Sequence, residues 1–94
     1  MGLYRLTVLM AVYNGIPYLS AAIDSILAQT YSDFKFLIVD DASTDDTREV
    51  VNSYKDQRIQ LHCLDSNVGQ TAALDIGLRC ADTEWIARMD ADDY

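Results

Sequence analysis

The sequence predicts an α/β domain built on a parallel sheet, with strands in spatial order 3-2-1-4 and helices on both faces, a three-layer arrangement. Four short apolar runs rich in strand-forming residues, at 6–11, 34–39, 59–64 and 85–89, supply the strands. Three intervening stretches with helical spacing supply the outer layers. Each connection between runs is long enough only for a helix, so the order reads β-α-β-α-β-α-β with right-handed crossovers.

The first run is almost continuously apolar, as expected of a strand buried on both faces. Asn14-Gly15 breaks it, and Pro17 can open a helix because its missing N–H would have no partner there. Leu19, Ile23, Ile26 and Leu27 then fall at i, i+4, i+7 and i+8, one apolar face of a helix ending near Gln29. The second strand, 34–39, runs into Asp40-Asp41. Thr44 and Asp46 are both able N-caps, and Asp46 with Glu49 three residues on has the form of a capping box. Val50, Val51 and Tyr54 share a side of that helix, which stops around Lys55-Asp56. The third strand alternates over 59–64. A polar loop from Asp65 to Gly69 leads to a helix over 71–81, with Leu74, Leu78 and Ala81 in register. Gly77 lies inside this helix, where it weakens it relative to alanine, so close packing on the sheet is its expected reason.

Composition bounds the function. Seven Lys+Arg stand against fifteen Asp+Glu, a net charge of −8, which argues against nucleic acid or an anionic membrane as a direct partner. Half the residues are hydrophobic, so the chain can build a core. Cys63 and Cys80 have no metal-ligand spacing and are expected as reduced, buried small hydrophobes of a cytoplasmic protein. The apolar N-terminal run reads as a strand rather than a signal peptide. No run approaches the roughly 20 apolar residues of a membrane-spanning helix, and an anchor elsewhere in a longer parent chain stays open.

Parallel topology places every strand's carboxyl end on one edge. Ala11-Val12-Tyr13-Asn14, Asp40-Asp41 and Asp90-Ala91-Asp92 end strands on that edge, Asp45, Asp46 and Asp93 belong to it too, and a crevice is expected between the first and fourth strands, where open α/β sheets bind ligands. Asp90 and Asp92 are one residue apart, so in extended backbone both carboxylates leave the same face. A divalent cation would use such a pair, since hard cations take carboxylate oxygens; the plainer alternative is a solvated acidic loop. Asp40-Asp41 has a similar alternative in turn and helix-capping chemistry. Tyr13 can stack on a planar base. His62 is expected to be a hydrogen-bonded structural residue, and Arg88 either faces the crevice or pairs with an acid. No GxGxxG, GxxxxGK[ST] or GxSxG motif is present.

Four stretches together resemble the nucleotide-binding half of family 2 glycosyltransferases: residues 8–14 (VLMAVYN), 25–47 (SILAQTYSDFKFLIVDDASTDDT), 67–78 (NVGQTAALDIGL) and 87–93 (ARMDADD). The resemblance implies a GT-A type Rossmann-like sheet that binds a nucleotide-diphosphate sugar, a UDP-sugar foremost, with Mg²⁺ or Mn²⁺, in cell-wall or polysaccharide biosynthesis. It implies that Ala11, Val12 and Tyr13 line the base pocket, and that Asp41 hydrogen-bonds the base with Asp40 beside it. Asp90 would lie near ribose and metal, and Asp92 would contact the metal on the diphosphate. One departure stands out. Where the family often has Ala-Arg-Asn-x-Gly, this chain has Ala73-Leu74-Asp75-Ile76-Gly77.

Residues 1–94 are therefore expected to form one donor-binding unit, truncated from a longer glycosyltransferase domain and unable to transfer sugar to its unknown acceptor alone. The fourth strand would leave an open sheet edge that invites self-association. Two other readings stay open: a binding module without catalysis, and a signalling receiver domain. The second needs a lysine at a late strand end, and the only lysines are Lys35 and Lys55.

Overall fold

The computed structural model describes residues 5–28, 33–81 and 83–88. Along them run β1 (Leu6–Val12), α1 (Ile16–Leu27), β2 (Phe34–Asp40), α2 (Thr47–Asn52), β3 (Ile59–Cys63), α3 (Gln70–Cys80) and β4 (Trp85–Arg88). The strands form one sheet in the order β3-β2-β1-β4, and every pairing is parallel, as the alternation predicts.

The two central strands explain why their sequences are apolar at nearly every position. They pair from Leu6↔Phe34 to Val12↔Asp40, and their side chains alternate between two cores. Val8, Met10, Val12, Phe34, Phe36 and Ile38 meet Leu19, Ile23 and Ile26 of α1 and Val51 of α2 on one face. Leu9, Ala11, Leu37 and Val39 meet Ala73 and Leu74 of α3 on the other. Each large side chain buried this way contributes roughly 1.5–3 kcal/mol, so the sheet centre is the least yielding part of the fold. Across the first core, the Tyr54 hydroxyl donates to Asp24 Oδ1 at 2.8 Å and to the Ser20 carbonyl at 3.3 Å, fastening the end of α2 to α1.

Gly77 has the close packing expected of it. A methyl group there would collide with Leu9 Cδ1 and come within 3.0 Å of Val39 Cγ2, so the missing side chain is what lets α3 settle on the sheet. That settling turns Leu78 outward. Expected on the buried face, it is 45 % exposed, and the buried stripe is Ala73, Leu74 and Gly77. The reason is lateral: α3 sits over β1 and β2, and four-residue β4, exposed along its length, is too short to cover its far side.

Three smaller expectations change. Asp46 is the N-cap of α2 but makes no side-chain cap bond. Asp45 Oδ1 instead accepts the Thr47 amide at 2.9 Å and the Thr47 hydroxyl, so the cap comes from one residue earlier. Both cysteines are free and exposed rather than buried, because Cys63 ends the outer strand β3 and Cys80 ends α3. His62 is half-buried, and no hydrogen bond to its imidazole is found among the described residues.

Candidate functional site

The carboxyl ends of β1, β2 and β4 lie on one edge, because all three strands run parallel. Backbone pairing between β1 and β2 reaches its last rung where the Asp41 amide donates to the Val12 carbonyl at 2.8 Å. Beyond that rung both chains turn sharply, with left-handed backbone at Asn14 (φ 50°) and Ala42 (φ 61°). Ala11 and Val12 point into the two cores. Tyr13, half-buried, is the first residue of that strand end to reach the surface.

Both aspartates at the end of β2 have no exposed surface, and each is committed to a neighbouring loop. Asp40 accepts from the Ser43 amide at 3.3 Å, from the Ser43 hydroxyl and from Arg48 Nε at 2.5 Å. The Arg48 guanidinium reaches on to the Leu64 carbonyl at 3.1 Å, tying the end of β3 to the same centre. The hydrogen bond it donates to Asp40 holds the Arg48 guanidinium above its ordinary pKa.

Asp41 grips the loop that enters α3. Its Oδ1 accepts the Val68 amide at 2.8 Å and its Oδ2 the Gly69 amide at 2.9 Å. Its carbonyl accepts from Asn67 Nδ2 at 3.1 Å. Gly69, at φ 93°, has a backbone that side chains disfavour, and so can turn that amide toward the carboxylate.

Asn14 closes the frame on the β1 side. Its amide donates to Ser43 Oγ at 2.9 Å, and its Oδ1 accepts the Thr44 amide at 2.8 Å and the Asp45 amide at 3.3 Å. The next amide, of Gly15, donates to the buried Thr47 hydroxyl at 3.1 Å. One network thus joins the loops after β1, β2 and β3. Sequence reasoning found the two aspartates, placed Asn14 at the strand end without a role, and missed Arg48. The legible signal for Asn14 was a residue tolerant of left-handed backbone immediately before a glycine.

A second hollow, about 280 Å³, lies between α3 and β4, lined by Gln70, Thr71, Leu74, Asp75, Leu78 and Arg88. Arg88 therefore faces α3 across this hollow, opposite Leu9 in register, and it forms no ion pair among the described residues. Asp75 pairs with Arg79 at 3.0 Å on the exposed surface. Leu74, which stands where the family often has arginine, belongs to the α3 core and also walls this hollow.

Among the described residues no three His, Cys, Asp or Glu side chains converge as a metal site. Asp90 and Asp92, the candidate metal ligands, lie outside the described residues. Burial raises the Cys63 thiol pKa more than Arg48 lowers it, so this exposed cysteine is no activated nucleophile. No helix among the described residues is long and apolar enough to cross a membrane.

Residues 7–94 match the family described as "Glycosyl transferase family 2". One curated relative, from Escherichia coli, is a "UDP-Glc:alpha-D-GlcNAc-diphosphoundecaprenol beta-1,3-glucosyltransferase", 38 % identical over 90 residues, which span 94 % of this chain and 35 % of that protein. Among solved structures, Staphylococcus aureus TarS 1–349 in complex with UDP-GlcNAc superposes with a TM-score of 0.87 at 28 % identity, over 96 % of this chain and 27 % of that one. A Pyrobaculum calidifontis mannosyltransferase in complex with GDP-Man and Mn²⁺ gives 0.82 at 32 % identity, over 94 % of this chain and 27 % of that one. The chain spans about 28–38 % of the length of the curated relatives it matches first.

Proposed function

The chain belongs to glycosyl transferase family 2, and on that premise we propose that its sheet edge binds the nucleoside-diphosphate end of a sugar donor, as part of an enzyme that transfers the sugar to an acceptor hydroxyl. The observation that carries this reading is the shared edge, where the parallel strands β1 and β2 end side by side and their loops are locked by hydrogen bonds. The 11–13 segment forms one wall of the base pocket in this reading, with Tyr13 as its surface residue and Ala11 and Val12 as the buried backbone behind it, and Asp40 and Asp41 form the other. Asp41 is the residue this reading assigns to the base, held in place by the Val68 and Gly69 amides. Asp40 holds the turn that presents its neighbour.

A diphosphate is an anion, and this edge is acidic. Asp40, Asp41, Asp45 and Asp46 crowd it, and Arg48 is already engaged by Asp40. Like charges repel, and a bound cation would offset that repulsion between the edge and a diphosphate. Two carboxylates one residue apart, Asp90 and Asp92, have the oxygen chemistry that Mg²⁺ or Mn²⁺ prefers. We assign them that metal, which when bound withdraws charge from the leaving diphosphate. A solved relative carries GDP-Man with Mn²⁺, which supports the assignment. UDP is the first nucleotide to try, since one relative is named for UDP-Glc and another was solved in complex with UDP-GlcNAc. The free cysteines fit a reducing, cytoplasmic setting.

Thermal shift with UDP, GDP, TDP and CDP, each with and without Mn²⁺, tests the proposal. A nucleotide-dependent rise that grows with metal is the expected result. No rise with any nucleotide would overturn it. Transfer by the parent protein to an acceptor separates an enzyme from a module that only binds.

A further inference from the structure

We infer that Asn14 is a positioning residue for donor recognition, setting the spacing between the two walls of the base pocket; the inference rests on the reading just proposed. The main-chain ladder of β1 and β2 ends at the bond from the Asp41 amide to the Val12 carbonyl. Past that point Tyr13 and the 42–44 turn have no further β-ladder between them. Nearest to Tyr13, the link between the walls passes through the Asn14 side chain and backbone, with the bond from the Gly15 amide to Thr47 one residue further on. Asn14 Oδ1 accepts the Thr44 and Asp45 amides at 2.8 and 3.3 Å, and the Asn14 amide donates to Ser43 Oγ at 2.9 Å.

The same Ser43 hydroxyl donates to Asp40, and the Ser43 amide does so at 3.3 Å. A displacement at Asn14 therefore passes through Ser43 to the Asp40-Asp41 pair within two hydrogen bonds. The geometry is specific to asparagine in two respects. It tolerates the left-handed backbone observed there, at φ 50°, and its short amide places an acceptor where two backbone N–H groups converge. Asn14 itself need not touch the nucleotide. It holds Tyr13, the residue before it, at a fixed distance from the aspartates.

Three substitutions separate the contributions. Asn14→Asp keeps the acceptor and the backbone tolerance. Asn14→Gly keeps the backbone and its N–H but removes the acceptor. Asn14→Ala removes the acceptor and disfavours the backbone. Binding of UDP, CDP and GDP, each with Mn²⁺, is measured by titration calorimetry on the unaltered chain and on each variant, with thermal melting to confirm folding. Amide exchange at Thr44 and Asp45 is followed in parallel.

The expected result is that Asn14→Gly and Asn14→Ala narrow the preference for the favoured nucleotide by roughly fivefold to tenfold, the worth of about one hydrogen bond. Exchange at Thr44 and Asp45 should rise in the same variants, and Asn14→Asp should restore both readouts. A purely structural role would weaken all three nucleotides equally. Folded Asn14→Gly with unchanged nucleotide preference overturns the positioning role and leaves the donor-binding reading standing. An unaltered chain that binds none of the three overturns that reading, and the positioning role with it, in the first arm alone.

Discussion

Replacing Asp41 by asparagine isolates the grip on the loop that enters α3, without any ligand. The side chain is fully buried, and each oxygen accepts one backbone amide, from Val68 at 2.8 Å and from Gly69 at 2.9 Å. Asparagine is the same size, so no cavity forms. One of its two positions is now an NH₂ that faces an N–H, and that amide loses its acceptor. A hydrogen bond to a carboxylate is worth about 1.5–3 kcal/mol net, and a stranded buried donor costs about 1–3 kcal/mol. These overlap rather than add, and Val68 is 44 % exposed, so water can reach part of the loop. The lower end applies, at about 2 kcal/mol. Against a stability on the order of 5–14 kcal/mol for a chain of this length, that is a substantial loss. Urea unfolding of the ligand-free chain should show the midpoint falling by about 1 M or more. Hydrogen exchange should quicken at Val68 and Gly69 first. A loss below about 0.5 kcal/mol would refute the reasoning, because the bonds would then be ones that water replaces freely.

Two further outcomes follow from the proposed site and the exposed edge. Asp92→Asn should remove most of the gain in nucleoside-diphosphate affinity that Mn²⁺ confers, while leaving metal-free binding unchanged; calorimetry with equal affinities in the presence and absence of metal for the unaltered chain would defeat the assignment. The 94-residue chain should self-associate through β4, where Trp85 is 65 % and Ile86 40 % exposed beside exposed Leu78. Light scattering should report dimers or larger species that Trp85→Lys shifts toward monomer, and a monomer at high concentration would count against it.

The parallel sheet and its buried central strands were legible because their two causes are local. Alternating strand and helix periods force parallel crossovers, and the continuous apolar runs of β1 and β2 mark strands covered on both sides. Gly77 was legible for a similar reason, since a glycine inside a helix needs a neighbour close enough to explain it. Leu78 was not. Periodicity says which residues share a helical face but not how far the neighbouring strand extends beneath it. The Asp40-Asp41 pair was visible as chemistry. Its partition was not, because the acceptors are shared out among backbone amides of Ser43, Val68 and Gly69, and backbone groups leave no trace in side-chain identity. Arg48 and the role of Asn14 escaped for the same reason, as most partners of both residues are loop atoms brought near only by the completed sheet. The Asp90-Asp92 pair remains a sequence-level assignment.

Ala42 shows how firmly this edge is held. A side chain in left-handed backbone is disfavoured by about 1–2 kcal/mol, and Ala42 stays there at φ 61°. It has no polar side chain of its own to soften that preference. What holds it are its neighbours: Asp41 is anchored to the Val12 carbonyl on one side, and Ser43 is bonded to Asp40 and Asn14 on the other. The loop is over-determined, in the sense that the surroundings dictate a conformation the residue would not choose. Position 42 is consequently thermal headroom left unused. Ala42→Gly should relieve the strain, at the cost of a looser unfolded chain worth about 0.4–1 kcal/mol, for a net gain of about 0.5 kcal/mol. In a chain of this size that is a rise of roughly 2–4 °C in melting temperature, and a fall instead would mean that the methyl group packs against something more valuable than the strain it causes.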